Sequence, residues 1–153
     1  MALKNDRKVL NNGTDIHWYL NEVAERGIIV THENAGSGAA MDDANATVQI
    51  PTGTGDGVPA GLLMCDMVNI DPTRQHLNEH QDEVQLGGKV TVLTHGWVVT
   101  DQIRSGQTPT AGDDAYMFTN GELTVTGGFY KVGKFLSSLD EDGYAKVEIN
   151  LPN

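Results

Sequence analysis

Residues 89–100 read KVTVLTHGWVVT, a long run dominated by β-branched side chains. Such a run packs well on a pleated, buried surface and predicts a central strand. Gly96 in its middle, beside Trp97, predicts a bulge or a close approach of backbone. Downstream, residues 115–119 and 122–126 flank Asn120-Gly121, a dipeptide whose tolerance of positive φ suits a tight hairpin turn. Leu123 and Val125 alternate there with Glu122, Thr124 and Thr126, which gives one dry face and one wet face. A second hairpin follows. It runs from a strand around residues 132–136, through a turn at Asp142-Gly143, into a last strand. In that strand Ala145, Val147, Ile149 and Leu151 alternate with Tyr144, Lys146, Glu148 and Asn150.

Upstream, residues 62–70 are a nearly continuous apolar run closed by Asp71-Pro72, as expected of a strand covered on both faces. Ile28, Ile29, Val30 and Thr31 form a shorter β-branched run, and Thr47-Val48-Gln49-Ile50 alternates like a half-buried strand. One segment carries helical spacing: Ile16, Tyr19, Leu20 and Val23 fall at i, i+3, i+4 and i+7, with Thr14 or Asp15 as cap and Gly27 as stop. Residues 1–15 are polar and aperiodic and are expected to form a flexible arm, residues 34–61 a Gly/Ala-rich pliable segment, and residues 71–89 a polar connection. Short strands at roughly ten-residue spacing predict an all-β domain over residues 16–153. Its expected form is an antiparallel β-sandwich or barrel with one short amino-terminal helix and an extended arm.

The chain has 153 residues, enough for one domain that buries roughly 70% of its unfolded surface. Twenty-one acids against ten bases give a net charge of -11, spread as -5 over residues 1–76 and -6 over residues 77–153. That balance repels polyanions, so neither nucleic acid nor an anionic membrane is an expected partner. Cys65 is the single cysteine, which excludes an intrachain disulfide and a cysteine-based zinc site within one chain. It lies in the apolar setting LLMCDMV, as a buried small side chain would, and points to synthesis in a reducing cytoplasm. No apolar run reaches signal-peptide or membrane-span length, so no export signal is expected.

Four motifs bear on chemistry. His76-Leu77-Asn78-Glu79-His80 matches H-x-x-E-H, in which two imidazoles one helical turn apart hold zinc and the glutamate acts as base. The surrounding RQHLNEHQDEVQ offers only Leu77 and Val84 as apolar anchors for that helix, which favours a solvated loop or surface helix. Residues 53–57, GTGDG, lack the order of a phosphate loop, and Asp56 would repel phosphate. Asp140-Glu141-Asp142-Gly143 gathers three carboxylates but leads straight into a strand, so a turn is expected rather than a calcium loop. Gly36-Ser37-Gly38 is not the G-x-S-x-G of a nucleophile elbow, and no triad is visible. The sequence therefore predicts no catalytic residue, metal or cofactor.

The segments EVQLGGKVTVLTHGWVVTDQI, PTAGDDAYMFTNGELT and VGKFLSSLDEDGYAKVEINLP together resemble head decoration (cement) proteins and related virion structural proteins of tailed bacteriophages. The resemblance rests on a Gly-Gly-Lys-Val strand entry, a Gly-Trp within that strand, Gly-Asp-x-Ala-Tyr ahead of Asn-Gly, and Val-Gly-x-Phe feeding a terminal Val-x-Ile strand. It implies a non-enzymatic protein on the outer surface of a phage head, commonly a homotrimer. Such a protein binds the major capsid protein and clamps neighbouring capsomers. The expected capsid or subunit contacts are Lys4, Arg7 and Lys8, three bases clustered against an acidic remainder, with Trp18 and Trp97. Two other classes are weighed beside this: a virion receptor- or carbohydrate-binding β module using Trp97 as platform, and a zinc hydrolase using His76, Glu79 and His80.

Overall fold

A computed structural model of the chain describes residues 8–9, 14–20, 22–33, 47–53, 57–66, 83–84 and 89–152. In chain order the strands are Lys8–Val9 (β1), Thr14–Leu20 (β2), Ala24–Glu25 (β3), Ile29–His32 (β4), Thr47–Gln49 (β5), Pro59–Asp66 (β6) and Glu83–Val84 (β7). There follow Lys89–Leu93 (β8), His95–Thr100 (β9), Asp114–Met117 (β10), Leu123–Thr124 (β11), Lys131–Phe135 (β12) and Ala145–Asn150 (β13). A single 3-10 turn, Thr119–Gly121, interrupts the β structure of the described residues.

The run 89–100 is extended as its composition dictates, but it serves two sheets. It bends at Thr94, which separates β8 from β9. On one side of the bend, β8 closes a five-stranded barrel in the order β2-β5-β4-β6-β8, in which β2 and β5 run parallel and every other pair antiparallel. On the other side, β9 joins a six-stranded antiparallel sheet in the order β1-β9-β13-β12-β10-β11. Strands that switch sheets at a bend are a standard way of making a corner between layers. Gly96, just past the bend, takes φ +147, a region that a side chain disfavours.

Two cores follow from the alternation of side chains. Leu20, Val30, Val48, Leu63, Val90 and Val92, contributed by all five barrel strands, form one buried cluster that fills the barrel. Ile29, Leu62, Met64 and Leu93 point the other way from three of these strands, β4, β6 and β8. They join Val98, Met117, Phe135, Val147 and Ile149 in a second cluster between barrel and sheet. Residues 60–64 are all buried, because one face of β6 fills the barrel and the other packs under the sheet. The apolar run that began at residue 62 is thus a strand covered on both faces, and its part beyond Asp66 lies outside the described residues.

Both expected hairpins form. β10 pairs with β11, and Asn120 and Gly121 adopt φ +63 and +78 in a loop closed by Phe118 N–H donating to Glu122 C=O at 2.8 Å. β12 pairs with β13 across a turn in which Gly143 N–H donates to Asp140 C=O at 3.1 Å. The first loop also docks on the barrel: Asn120 N–H donates to Pro51 C=O at 2.8 Å. Beside it, Arg104 lies 4.0 Å over the Phe118 ring, which meets Phe129 edge-on at 5.3 Å.

The short amino-terminal helix is not present. Thr14–Leu20 is a strand paired with β8 and β5, and Val23, placed on the helix's buried stripe by its spacing, is 51% exposed. Two physical reasons favour the strand. A helix of two turns is marginal without strong tertiary support, and Thr14, Ile16, Trp18 and Tyr19 are β-formers whose pairing closes the barrel between β8 and β5. Lys8–Val9, within the expected arm, pairs with β9.

Gly121 separates the two costs of replacing a glycine. At Gly106 and Gly121 φ is +78, yet a Cβ at Gly106 meets nothing within 4 Å whereas one at Gly121 would overlap the Ile29 carbonyl oxygen. Gly106→Ala should therefore cost about 1 kcal/mol, the left-handed penalty alone. Gly121→Ala should cost roughly 3 kcal/mol or more, because the overlap adds to it. Urea denaturation of the two variants checks the difference.

Candidate docking face

The outward face of the six-stranded sheet is built by register. β13 buries Ala145, Val147 and Ile149 and turns Lys146, Glu148 and Asn150 outward. Across the sheet Glu148 lies opposite Trp97 on β9 and opposite Lys134 on β12, and Lys134 lies opposite Asp114 on β10. On the far side Trp97 lies opposite Lys8 of β1. One cross-strand row therefore runs Lys8, Trp97, Glu148, Lys134, Asp114. The diagonal neighbours complete it: Lys146 holds its Nζ 3.4 Å from the centre of the Trp97 ring, and Lys131 makes a 2.8 Å ion pair with Asp114. Lys131, Gly133, Lys134, Glu148 and Asn150 line a concavity of about 360 Å³ on this face.

The charge on this face differs from the rest of the molecule. Among the side chains described on this face, Lys131, Lys134 and Lys146 against Asp114 and Glu148 leave a local balance of +1, so the remainder of the chain carries -12 of the total of -11. The hydrogen bond from Lys131 holds the Asp114 carboxyl below the usual aspartate range, and the same contact raises the Lys131 ammonium. Asp113, next in sequence, is lowered for a different reason: it accepts from the Thr110 backbone N–H and hydroxyl, both at 2.8 Å.

Of the contact residues expected from sequence, the structure brings two together, Lys8 and Trp97, as direct register partners. Trp18 is elsewhere. It packs against the barrel cluster and meets His32 edge-on at 4.9 Å. Lys4 and Arg7 lie outside the described residues, as do His76, Glu79, His80 and Ser37. Among the described residues no three His, Cys, Asp or Glu side chains are grouped to hold a metal, and no helix is long and apolar enough to cross a membrane. Residues 140–143 form a turn, in which the Asp140 carboxylate accepts from the N–H groups of Asp142 at 3.0 Å and Tyr144 at 2.8 Å. Lys131, Lys134 and Asp114 were not singled out by sequence. Period-2 alternation marks Lys146, Glu148 and Asn150 as one outward face, but the row across five strands exists only once register is known.

The chain matches the family model described as structural cement protein (E217 gp24/Pam3 gp6) over residues 19–150. It belongs to that family of phage cement proteins, and so to the structural proteins of the phage capsid. A comparison with curated proteins finds no match.

The two aspartates give a test of the row's electrostatics. Asp114's contribution to stability is present above the ordinary carboxylate pKa and is lost as pH falls through its lowered value; that of Lys131 is present below the ordinary lysine pKa and is lost as pH rises through its raised one. Lys131→Gln should move the Asp114 titration midpoint up toward the ordinary aspartate value and leave Asp113 lowered, since Thr110 is untouched. Carboxyl-carbon NMR titration reads both groups at once.

Proposed function

We propose that the protein binds the outer surface of an assembled phage head and stabilises contacts between capsomers, without enzymatic activity. Its partner is the major capsid protein, and it acts as a homotrimer. The observation that carries this reading is the family match across residues 19–150. The charge distribution supports a mode of binding. A chain of net charge -11 approaches any acidic surface, or another copy of itself, with least repulsion through the face whose local balance is +1. Trp97 on that face is half-buried, and tryptophan is enriched among the few residues that dominate binding energy. Modest contacts suffice on a lattice, because once one contact of a multivalent protein has formed the next are intramolecular.

The amino-terminal arm adds a second element. Lys8–Val9 pairs with β9 over two residues, Trp97 and Gly96, so this part of the arm forms the edge strand of the sheet next to the strand that bears the aromatic anchor. Lys4 and Arg7 extend the basic cluster in sequence and belong to the proposed contact set with Lys8, Trp18 and Trp97. The carbohydrate-platform reading is weaker on geometry: the Lys146 ammonium already sits over the Trp97 ring, where a sugar would stack.

Co-sedimentation with heads lacking the protein provides the test. Added protein should pellet with such heads and lengthen their survival under heat or chelator. Trp97→Ala should weaken that binding by about tenfold or more, with thermal melting of the free variant checking that the fold persists. If the wild-type chain neither pellets with the heads nor protects them, the proposal fails.

A further inference from the structure

The surplus positive charge of the docking face rests on one lysine. Lys131 is paired with Asp114, and Lys134 stands in register between Glu148 and Asp114. Lys146 has no such neighbour. In the ladder it lies opposite Val99 on β9 and, on its other side, opposite Leu136, whose N–H donates to the Lys146 C=O at 2.7 Å. Glu148, two residues along, faces Trp97 and Lys134 instead. Among the described residues the Lys146 ammonium makes no ion pair, and it is held 3.4 Å from the centre of the Trp97 ring. Its backbone is fixed as well, because the Lys146 N–H donates to the Ser137 hydroxyl at 2.9 Å.

These contacts set a cation in an apolar frame. Leu136 is 40% exposed, and Trp97, Val99 and Lys146 are half-buried on the same outward side. An ammonium has three N–H donors, and an aromatic ring takes up only one side of it. Water satisfies the rest while the face is open. A protein surface that covers the frame strips that water, and a covered charge is costly unless an opposite one meets it. No carboxylate of the described residues stands in that place, so the partner must bring it. We propose that Lys146, held against Trp97, is the charged anchor of the docking face and pairs with a carboxylate of the major capsid protein, while an apolar side chain beside that carboxylate packs over Leu136 and Val99. The anchor rests on the reading of the chain as a protein that binds the phage head, and it adds the chemistry of the segment that is bound.

Lys146→Met keeps the stem and removes the charge. Its binding to heads lacking the protein should fall by about tenfold or more, and what remains should depend less on salt between about 0.05 M and 0.5 M. Lys146→Arg should keep most of the binding, since a guanidinium also serves both ring and carboxylate. Lys134→Met removes the same unit of charge from a lysine with acids on both sides, and should weaken binding clearly less. Thermal melting checks each variant, with Lys146→Gln as a second neutral side chain. Heads whose exposed carboxylates have been amidated with a carbodiimide should bind the wild-type chain no better than untreated heads bind Lys146→Met. Equal losses in Lys146→Met and Lys134→Met reduce the effect to net charge and overturn the anchor while head binding stands. Amidated heads that still distinguish wild type from Lys146→Met overturn the carboxylate. Loss of self-association in Lys146→Met, with head binding unchanged, gives the frame to a second copy and overturns the anchor too. A wild-type chain that fails to pellet with heads removes the head-binding reading itself, and the anchor with it.

Discussion

The bend at Thr94 makes one continuous stretch of chain answer to two cores. Before it, Val90 and Val92 fill the barrel; after it, Val98 packs under the sheet; and Leu93, at the bend itself, crosses from the first requirement to the second. Side chains alternate with period two, so a slip of one residue would turn an entire buried set toward solvent. Here the penalty is levied twice, because β8 pairs with β2 and β6 while β9 pairs with β1 and β13. The register of residues 89–100 is therefore fixed from both ends. The remaining strands inherit their placement from it, including the row that sets Trp97 opposite Glu148.

The barrel wall shared by the two cores outweighs anything on the surface. Leu62, Leu63, Ile29 and Val30 are fully buried on alternating faces of β4 and β6. Each such side chain contributes about 1.5–3 kcal/mol by leaving water, whereas an exposed ion pair such as Lys131 with Asp114 is screened by solvent and contributes far less. The outward charges are thus nearly free of structural duty. They can be arranged for encounter and docking at little cost to the fold, which is why a charge-balanced face can persist on a chain otherwise so acidic.

Much of the carboxyl-terminal half could be read from sequence, because there the signals are local. Asn120-Gly121 and Asp142-Gly143 are turns by their own chemistry, and the alternation of residues 145–150 names its wet face directly. The amino-terminal half was less legible. Ile16, Tyr19, Leu20 and Val23 satisfy a helical spacing as well as strand propensity, and the choice is made by a distant event, the closure of the barrel on β8 and β5. The same holds for the docking face. Lys8 and Trp97 were each identifiable as unusual, but nothing local reveals that they are partners across a ladder, or that Lys134 and Asp114 extend the same row.

The acidic composition takes on a sharper meaning with the fold in place. Net charge alone excluded a polyanion partner without indicating a direction of approach. The sheet gathers Lys131, Lys134 and Lys146 onto the outward side of two neighbouring strands, and Lys8 falls in the register row that runs through Lys134. Four of the ten bases thus fall on one sheet, three of them on a single hairpin. A protein that meets an acidic surface in one orientation is served by that asymmetry, because repulsion is least across this face. Because exposed charges are screened within about 8 Å at physiological ionic strength, the asymmetry acts at close approach. There Trp97 and the barrel-supported sheet beneath it supply a rigid platform that the charges alone would not provide.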